Sequence, residues 1–189
     1  MKRLGLIFLC ISLLTVSQAQ KKKLNIWALP EVGLVAGALN PAADLRLTGG
    51  VSQGNWRYGV GMAFDEYRQE SYPVFLQARR QFHWRKWHPF VFGSAGYNIR
   101  SGSDTILTWF SNRVENYRGG VFAEGGMGLS FNIKKKERFS LSFYQSYKRS
   151  STTFQEFRWL GPGNTITVPT TDIFRMNRFG VRIGWKFGK

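Results

Sequence analysis

Four sets of residues in this chain have types that could do chemistry. His83 and His88 flank the run Arg85-Lys86-Trp87. Two imidazoles can begin a metal site, but a zinc-type centre takes three or four protein ligands. No cysteine or carboxylate lies near them in the chain, so no metal and no cofactor is expected. The pair reads as polar residues beside a turn. Ser146, within Tyr144-Gln145-Ser146-Tyr147, is a nucleophile only if a base sits beside it and a carboxylate orients that base. Neither histidine accompanies it, so no catalytic residue is assigned. Asp65, Glu66 and Glu70 could bridge a divalent cation to a phosphate, although a solvated loop is the simpler reading. The last set is Glu124 with Arg57, Arg79 and Arg182. One carboxylate among three guanidiniums suits an ion network in a confined interior, with a structural role.

The elements that must hold these residues are read from alternation. From Phe179 to Phe187 the odd positions are Phe, Val, Ile, Trp and Phe, and the even ones are Gly, Arg, Gly and Lys. Strict period-2 patterning of this kind predicts a strand with one apolar face. About eight such stretches occur: Glu31 to Asn40, Asp44 to Ser52, Trp56 to Phe64, Tyr72 to Trp84, Pro89 to Ile99, Val121 to Asn132, Phe139 to Lys148, and the closing one. No stretch predicts a helix. Each is near the ~9–11 residues that a tilted strand needs to cross a bilayer. The faces of Pro89 to Ile99 do not separate cleanly.

The connections are as informative as the strands. Gln53-Gly54-Asn55, Arg85 to His88 and Lys134 to Arg138 are short. Alternate links are longer: Asp65 to Ser71, about 100–118 and about 150–172, with Asn40 to Ala43 the one short exception. Membrane barrels have even strand numbers, short periplasmic turns and longer external loops. Both termini then fall on the periplasmic side. The two long links each read as strand, turn, strand, with tips at Ser111-Asn112 and at Gly161 to Asn164. They predict two hairpins rising outside, whose apolar residues Trp109, Phe110, Phe157, Trp159 and Leu160 are candidate contacts for an external protein or glycan. Trp56, Trp84, Trp87, Phe131, Phe139, Trp185 and Phe187 gather at the short-turn end. Phe64, Tyr72, Tyr97, Tyr147 and Phe179 lie towards the other, as interfacial girdles would.

The ends and the composition bound the class. Lys2 and Arg3, the apolar run Leu4 to Val16, and Ser17-Gln18-Ala19 form a secretory signal peptide over residues 1–19, leaving a barrel domain at 20–189. The apolar run is too short to span a membrane as a helix. The one cysteine, Cys10, falls inside it, so the exported chain has no disulfide to draw on. The formal charge of +16 loses only two units with Lys2 and Arg3. Export and the scatter of the basic residues argue against nucleic acid as a partner, and favour anionic lipid, including lipopolysaccharide, with the remaining charge in turns and in a polar interior.

One choice remains: which face meets which solvent. A soluble exported ligand-binding barrel would carry Lys, Glu, Thr and Gln on its second face, where water would meet it. Here the second face is Gly, Ser, Ala, Asn and some Arg, which suits a narrow lumen. The Phe, Leu, Val and Trp face then meets lipid, where a mid-membrane arginine costs roughly 2–4 kcal/mol. Arg80 breaks the parity. It either snorkels to the interface beside Trp84 or is turned inward by a bulge. The prediction is an all-β, eight-stranded, antiparallel, up-and-down transmembrane β-barrel, monomeric, with its lumen filled by side chains.

The stretches GVGMAFDEYRQESYPVFLQARRQF, HPFVFGSAGYNI, GGVFAEGGMGLSF and NRFGVRIGWKF together resemble the small outer-membrane β-barrels of the Bacteroidota. That resemblance spans nearly all of residues 20–189. It implies an eight-stranded barrel in a Gram-negative outer membrane and carries no catalytic residues with it. Trp185-Lys186-Phe187 looks like the C-terminal aromatic signal of such barrels, although Gly188-Lys189 follows it. The expected function is a structural or surface-interaction role without enzymatic activity. The alternatives are a lipid A-modifying barrel enzyme of the deacylase or acyltransferase type and a soluble exported ligand-binding barrel.

Overall fold

The computed structural model describes residues 24–37, 40–66, 70–84, 87–100, 103–108, 111–134, 137–161 and 164–188. The signal-peptide assignment at 1–19 lies outside the described residues. Ten strands follow one another in the chain: β1 (Asn25–Ala36), β2 (Ala42–Gln53), β3 (Trp56–Asp65), β4 (Tyr72–Gln81), β5 (Trp87–Ile99), β6 (Ser103–Thr108), β7 (Ser111–Arg118), β8 (Gly120–Lys134), β9 (Glu137–Gly161) and β10 (Asn164–Gly188). Eight of them, β1 to β5 and β8 to β10, pair in sequence order, and β10 returns to β1 with Phe187 opposite Ala28 and Phe179 opposite Ala36. The sheet is thus closed, every pairing is antiparallel, and no barrel edge is left open.

Alternation decides what each strand shows to the outside. On β10, Phe179, Val181, Ile183, Trp185 and Phe187 point outward, between 38% and 62% exposed, while Arg182 and Lys186 between them point inward at 3% and 6%. On β3, Trp56, Tyr58, Val60 and Met62 are outward, and Arg57 and Ala63 are buried. A soluble barrel inverts this arrangement. An apolar surface that runs round the cylinder is stable only against hydrocarbon, so the chain is a transmembrane barrel. Arg80 is exposed, and the β4 register runs unbroken through it on both sides. Its guanidinium lies 5.5 Å from the Trp56 ring and 5.4 Å from Phe82. Of the two expectations for this residue, the interfacial one holds and the bulge is absent.

The outward aromatics form a rim at the short-turn end. Trp87 is opposite Phe131, Phe131 opposite Phe139, and Phe139 opposite Trp185, so four strands carry one continuous aromatic band. The β2–β3 turn at that end puts Gly54 at φ 61°, the left-handed conformation that a two-residue hairpin turn requires and glycine supplies without strain. The other rim carries Tyr72, Tyr97 and Phe179.

Three expectations about the elements need correcting. The first strand begins at Asn25 rather than Glu31. Trp27 and Leu29 are buried and Ile26 is outward, so both faces are apolar there and the period is masked in the sequence. The last two barrel strands are 25 residues each and do not stop near Lys148, because the link between them, read as a hairpin, continues the pairing of β9 and β10 without a break up to Gly161 opposite Asn164. In the other hairpin Thr108 is opposite Ser111 and Leu107 opposite Asn112, so Ser111-Asn112 belong to a paired strand rather than to a turn tip. Serine and asparagine favour turns locally, but the pairing register overrides that preference. The two hairpins are also paired with each other. Glu115 pairs with Phe154 and Arg118 with Ser151, which joins β6, β7 and the upper parts of β9 and β10 into a single four-stranded sheet beyond the barrel.

The lumen is packed, and aromatic rings fill it together with polar groups. Phe75, Phe90, Phe92, Phe122 and Tyr144 are all buried. Four of these lie over the glycine directly opposite on the neighbouring strand: Phe75 over Gly61, Phe90 over Gly128, Phe92 over Gly126 and Tyr144 over Gly180. A Cβ at Gly180 would meet the Tyr144 ring at 2.2 Å. The inward-facing glycines of the alternating pattern are therefore the space into which the lumen rings fold, as in aromatic rescue of glycine in designed sheets. An eight-stranded cylinder is just wide enough for side chains to fill it.

Candidate functional site

The polar lumen is where the chain's titratable residues converge, and they fall into three groups along it. The middle group has three carboxylates and three guanidiniums. Glu124 of β8 accepts from Arg182 Nη1 at 2.8 Å and Nη2 at 2.5 Å, and from Arg46 Nη1. Arg182 Nε also donates to Asp44, which takes the Tyr144 hydroxyl at 2.7 Å. Glu31 joins Arg46 at 3.7 Å and Arg79 at 3.4 Å. Each guanidinium stacks on a ring as well: Arg46 over Phe75 at 3.8 Å, Arg79 over Phe90 at 4.0 Å and Arg182 over Tyr144 at 3.6 Å. Planar, weakly hydrated guanidiniums suit such positions, where lysine would not. Equal numbers of opposite charges make this group neutral, as a buried cluster must be to persist.

The group at the long-loop end holds Asp65, at the end of β3. Lys148 donates to it at 2.7 Å and to Ser71 Oγ at 2.6 Å, and Arg178 reaches it at 3.0 Å. The group at the short-turn end differs from both. Arg57 and Arg138 donate to the same atom, Gln81 Oε1, with Arg138 Nη1 at 2.7 Å. Lys186 lies in the field of both and donates a hydrogen bond to the Gly188 carbonyl at 3.0 Å. Among the described residues, no carboxylate forms an ion pair with any of these three cations. These cations stand in one another's field, whereas each guanidinium of the middle group also faces a carboxylate.

The sequence-selected residues separate accordingly. Glu124 and Arg182 are in direct contact, and Arg79 reaches them through Glu31 and Arg46. Arg57 is not part of that network. It sits directly opposite Arg79 on the next strand, but turns to Gln81 at the mouth. Glu31, Asp44, Arg46, Lys148 and Arg178 were not selected from the sequence, and Asp65, selected there with Glu66 and Glu70 as a loop cluster, is instead buried and held by Lys148 and Arg178. Inward parity marks Arg46, Lys148 and Arg178, whereas Glu31, Asp44 and Asp65 fall at predicted strand ends, where parity gives no purchase. Trp109 and Phe110 lie outside the described residues. Phe157, Trp159 and Leu160 have described backbone in the β9 extension, with Trp159 opposite Thr165, and their side chains lie outside the described set. His83 and His88 meet edge to face at 5.2 Å. Ser146 faces the lumen opposite Glu124, while both histidines are near the short turns.

No protein-family model matches this chain, and no curated protein matches it. Solved structures do. Neisserial surface protein A, from Neisseria, superposes with a TM-score of 0.55 at 10% identity, over 87% of this chain and 96% of that one. A de novo designed transmembrane β-barrel gives 0.51 at 10% identity, over 87% and 95%. At these identities the likeness is one of fold, and the fold is the closed, eight-stranded, antiparallel barrel of the transmembrane kind.

Proposed function

We propose that this chain is an integral outer-membrane barrel with a structural or surface-interaction role, which presents the β6–β7 and β9–β10 hairpins outside the cell as one sheet. The observation that carries this reading is the outer wall. Among the described outward positions, the band between Arg80 at one rim and Arg149 and Arg175 at the other bears no charge. The long strands continue past the second rim. Arg149 and Arg175 are directly opposite each other and both exposed. Like charges in that position destabilise a strand pair, and an anion between them relieves the repulsion. The phosphates of lipopolysaccharide lie at that level of an outer leaflet, which supports it as the lipid partner. The resemblance to small Bacteroidota barrels supports the same membrane, and so does the surface location in the name of the Neisserial neighbour. The role is non-enzymatic in this reading, since Ser146 is sealed in the lumen at 1% exposure and far from either imidazole.

Cysteine labelling in intact cells tests the orientation on which this depends, because residues 20–189 contain no cysteine of their own. A membrane-impermeant maleimide should label Thr170→Cys in intact cells, and Asn55→Cys only after the outer membrane is permeabilised. Labelling in the opposite order, or equal labelling of both, would reject the reading.

A further inference from the structure

The short-turn mouth of the barrel is a collection of donors with almost nothing to accept from them. Arg57 and Lys186 are each 6% exposed, and half-buried Arg138 lies beside them. Gln81 is 4% exposed and His88 6%. The Gln81 amide oxygen already takes two guanidiniums, which fixes the amide and leaves its Nε2 donor buried without a partner. His88 is in the same position. The Asn132 amide nitrogen, 3.1 Å from His88 Nε2, can only donate. His88 Nε2 therefore accepts, the imidazole proton is on Nδ1, and Nδ1 is buried and unpartnered too. His88 stands in the field of Arg57, Arg138 and His83. Every carboxylate described inside the barrel is engaged further along, by Arg46, Arg79 and Arg182 or by Lys148 and Arg178. Converging N–H groups and uncompensated positive charge are what a bound oxyanion requires.

We propose that this mouth is an oxyanion site in which Arg57, Arg138 and Lys186 supply the charge and Gln81 Nε2 and His88 Nδ1 supply further donors to one compact phosphate group. A phosphate group offsets excess charge that no described carboxylate at this end pairs with, and its oxygens accept from several directions at once. The assignment follows from the lumen alone and holds whichever way the barrel is inserted. The phosphate could be free or could belong to a lipid headgroup, since the recognising chemistry is the same.

The test is a titration of the barrel in maltoside micelles, a phosphate-free detergent, with inorganic phosphate, followed by the Nε–Hε signals of Arg57 and Arg138. Saturable shifts are expected at both, with chloride at least tenfold weaker. In a parallel arm, dihexanoyl phosphatidic acid below its micelle concentration replaces phosphate, and saturation there instead identifies a headgroup. Arg57→Gln with Lys186→Gln should weaken binding by at least tenfold. Arg80→Gln, which removes one charge from the outer wall at the same end, should leave it unchanged. The proposal fails if neither ligand saturates, if chloride competes as well as phosphate, or if the Arg80 variant loses as much as the double one. Heat-modifiable mobility on a gel reports whether the double variant folds. If it does not, the unsubstituted barrel still decides the matter, because shifts at Arg80 equal to those at Arg57 would mean nonspecific association.

Discussion

Replacing Glu124 by glutamine should lower the unfolding free energy of the barrel by about 3–5 kcal/mol, the usual cost of breaking a buried ion pair from one side. Glu124 is the shared acceptor of Arg46 and Arg182, and both guanidiniums are almost completely buried. Glutamine keeps the volume and offers one oxygen, but its amide nitrogen must then face a guanidinium. Removing the carboxylate also leaves Glu31 and Asp44 to hold three arginines between them. Reversible urea unfolding in lipid vesicles, followed by tryptophan fluorescence, reads the change. A second measurement separates lost charge from lost packing. In Glu124→Leu with Arg182→Met, both partners go together, and the double variant should lose less than the sum of the single ones. A loss below about 1 kcal/mol for Glu124→Gln, the range of an exposed pair, would mean that water reaches this network.

An arginine at Val181 should cost about 2–4 kcal/mol in the same assay, since it is placed on the outer wall at mid-membrane depth. Val181 stands midway along β10 between Trp185 in the lower aromatic rim and Asn177 next to the upper basic pair, opposite Phe143 on one side and Leu34 on the other. The same arginine at Asn177 should cost no more than ~1 kcal/mol, because the penalty falls towards the interface. The depth dependence is the informative part. If Val181 faced water, neither substitution would matter, and if it faced the packed lumen, the cost would be one of volume and a leucine would be tolerated no better.

Much of this architecture is legible in the residues, and the limit of that legibility is physical. Alternation says which side of the wall a residue takes, and it does so well for Val181, Arg182 and Ile183, where the two faces differ in chemistry. It fails where both faces are apolar, as at Trp27 to Leu29, and where a bulky ring turns inward, as at Phe90 and Phe92. Nothing local shows that the glycine opposite each ring is what makes room for it, because the two belong to different strands. Height along the axis is also invisible in the alternation. Arg182 meets Asp44 across 138 residues of sequence and Arg46 meets Glu124 across 78, and these contacts depend on the stagger of the closed sheet. That is why Arg57 and Arg79, alike in parity and adjacent in register, have different partners. The length of β9 and β10 escaped for another reason. Ser150 to Thr153 and Thr170 to Asp172 are polar on both faces, as a sheet standing in water can be, so the pattern that marks a membrane strand ends there while the pairing does not.

The decisive observation is which methyl groups touch lipid. In a methyl-labelled barrel embedded in lipid nanodiscs, Val181, Ile183 and Leu34 should show nuclear Overhauser effects to acyl-chain methylene protons. Leu29 and Val35, buried at 0% and 1%, should show them only to lumen side chains. Acyl-chain contacts at Leu29 and Val35, with none at Val181 and Ile183, would contradict the account.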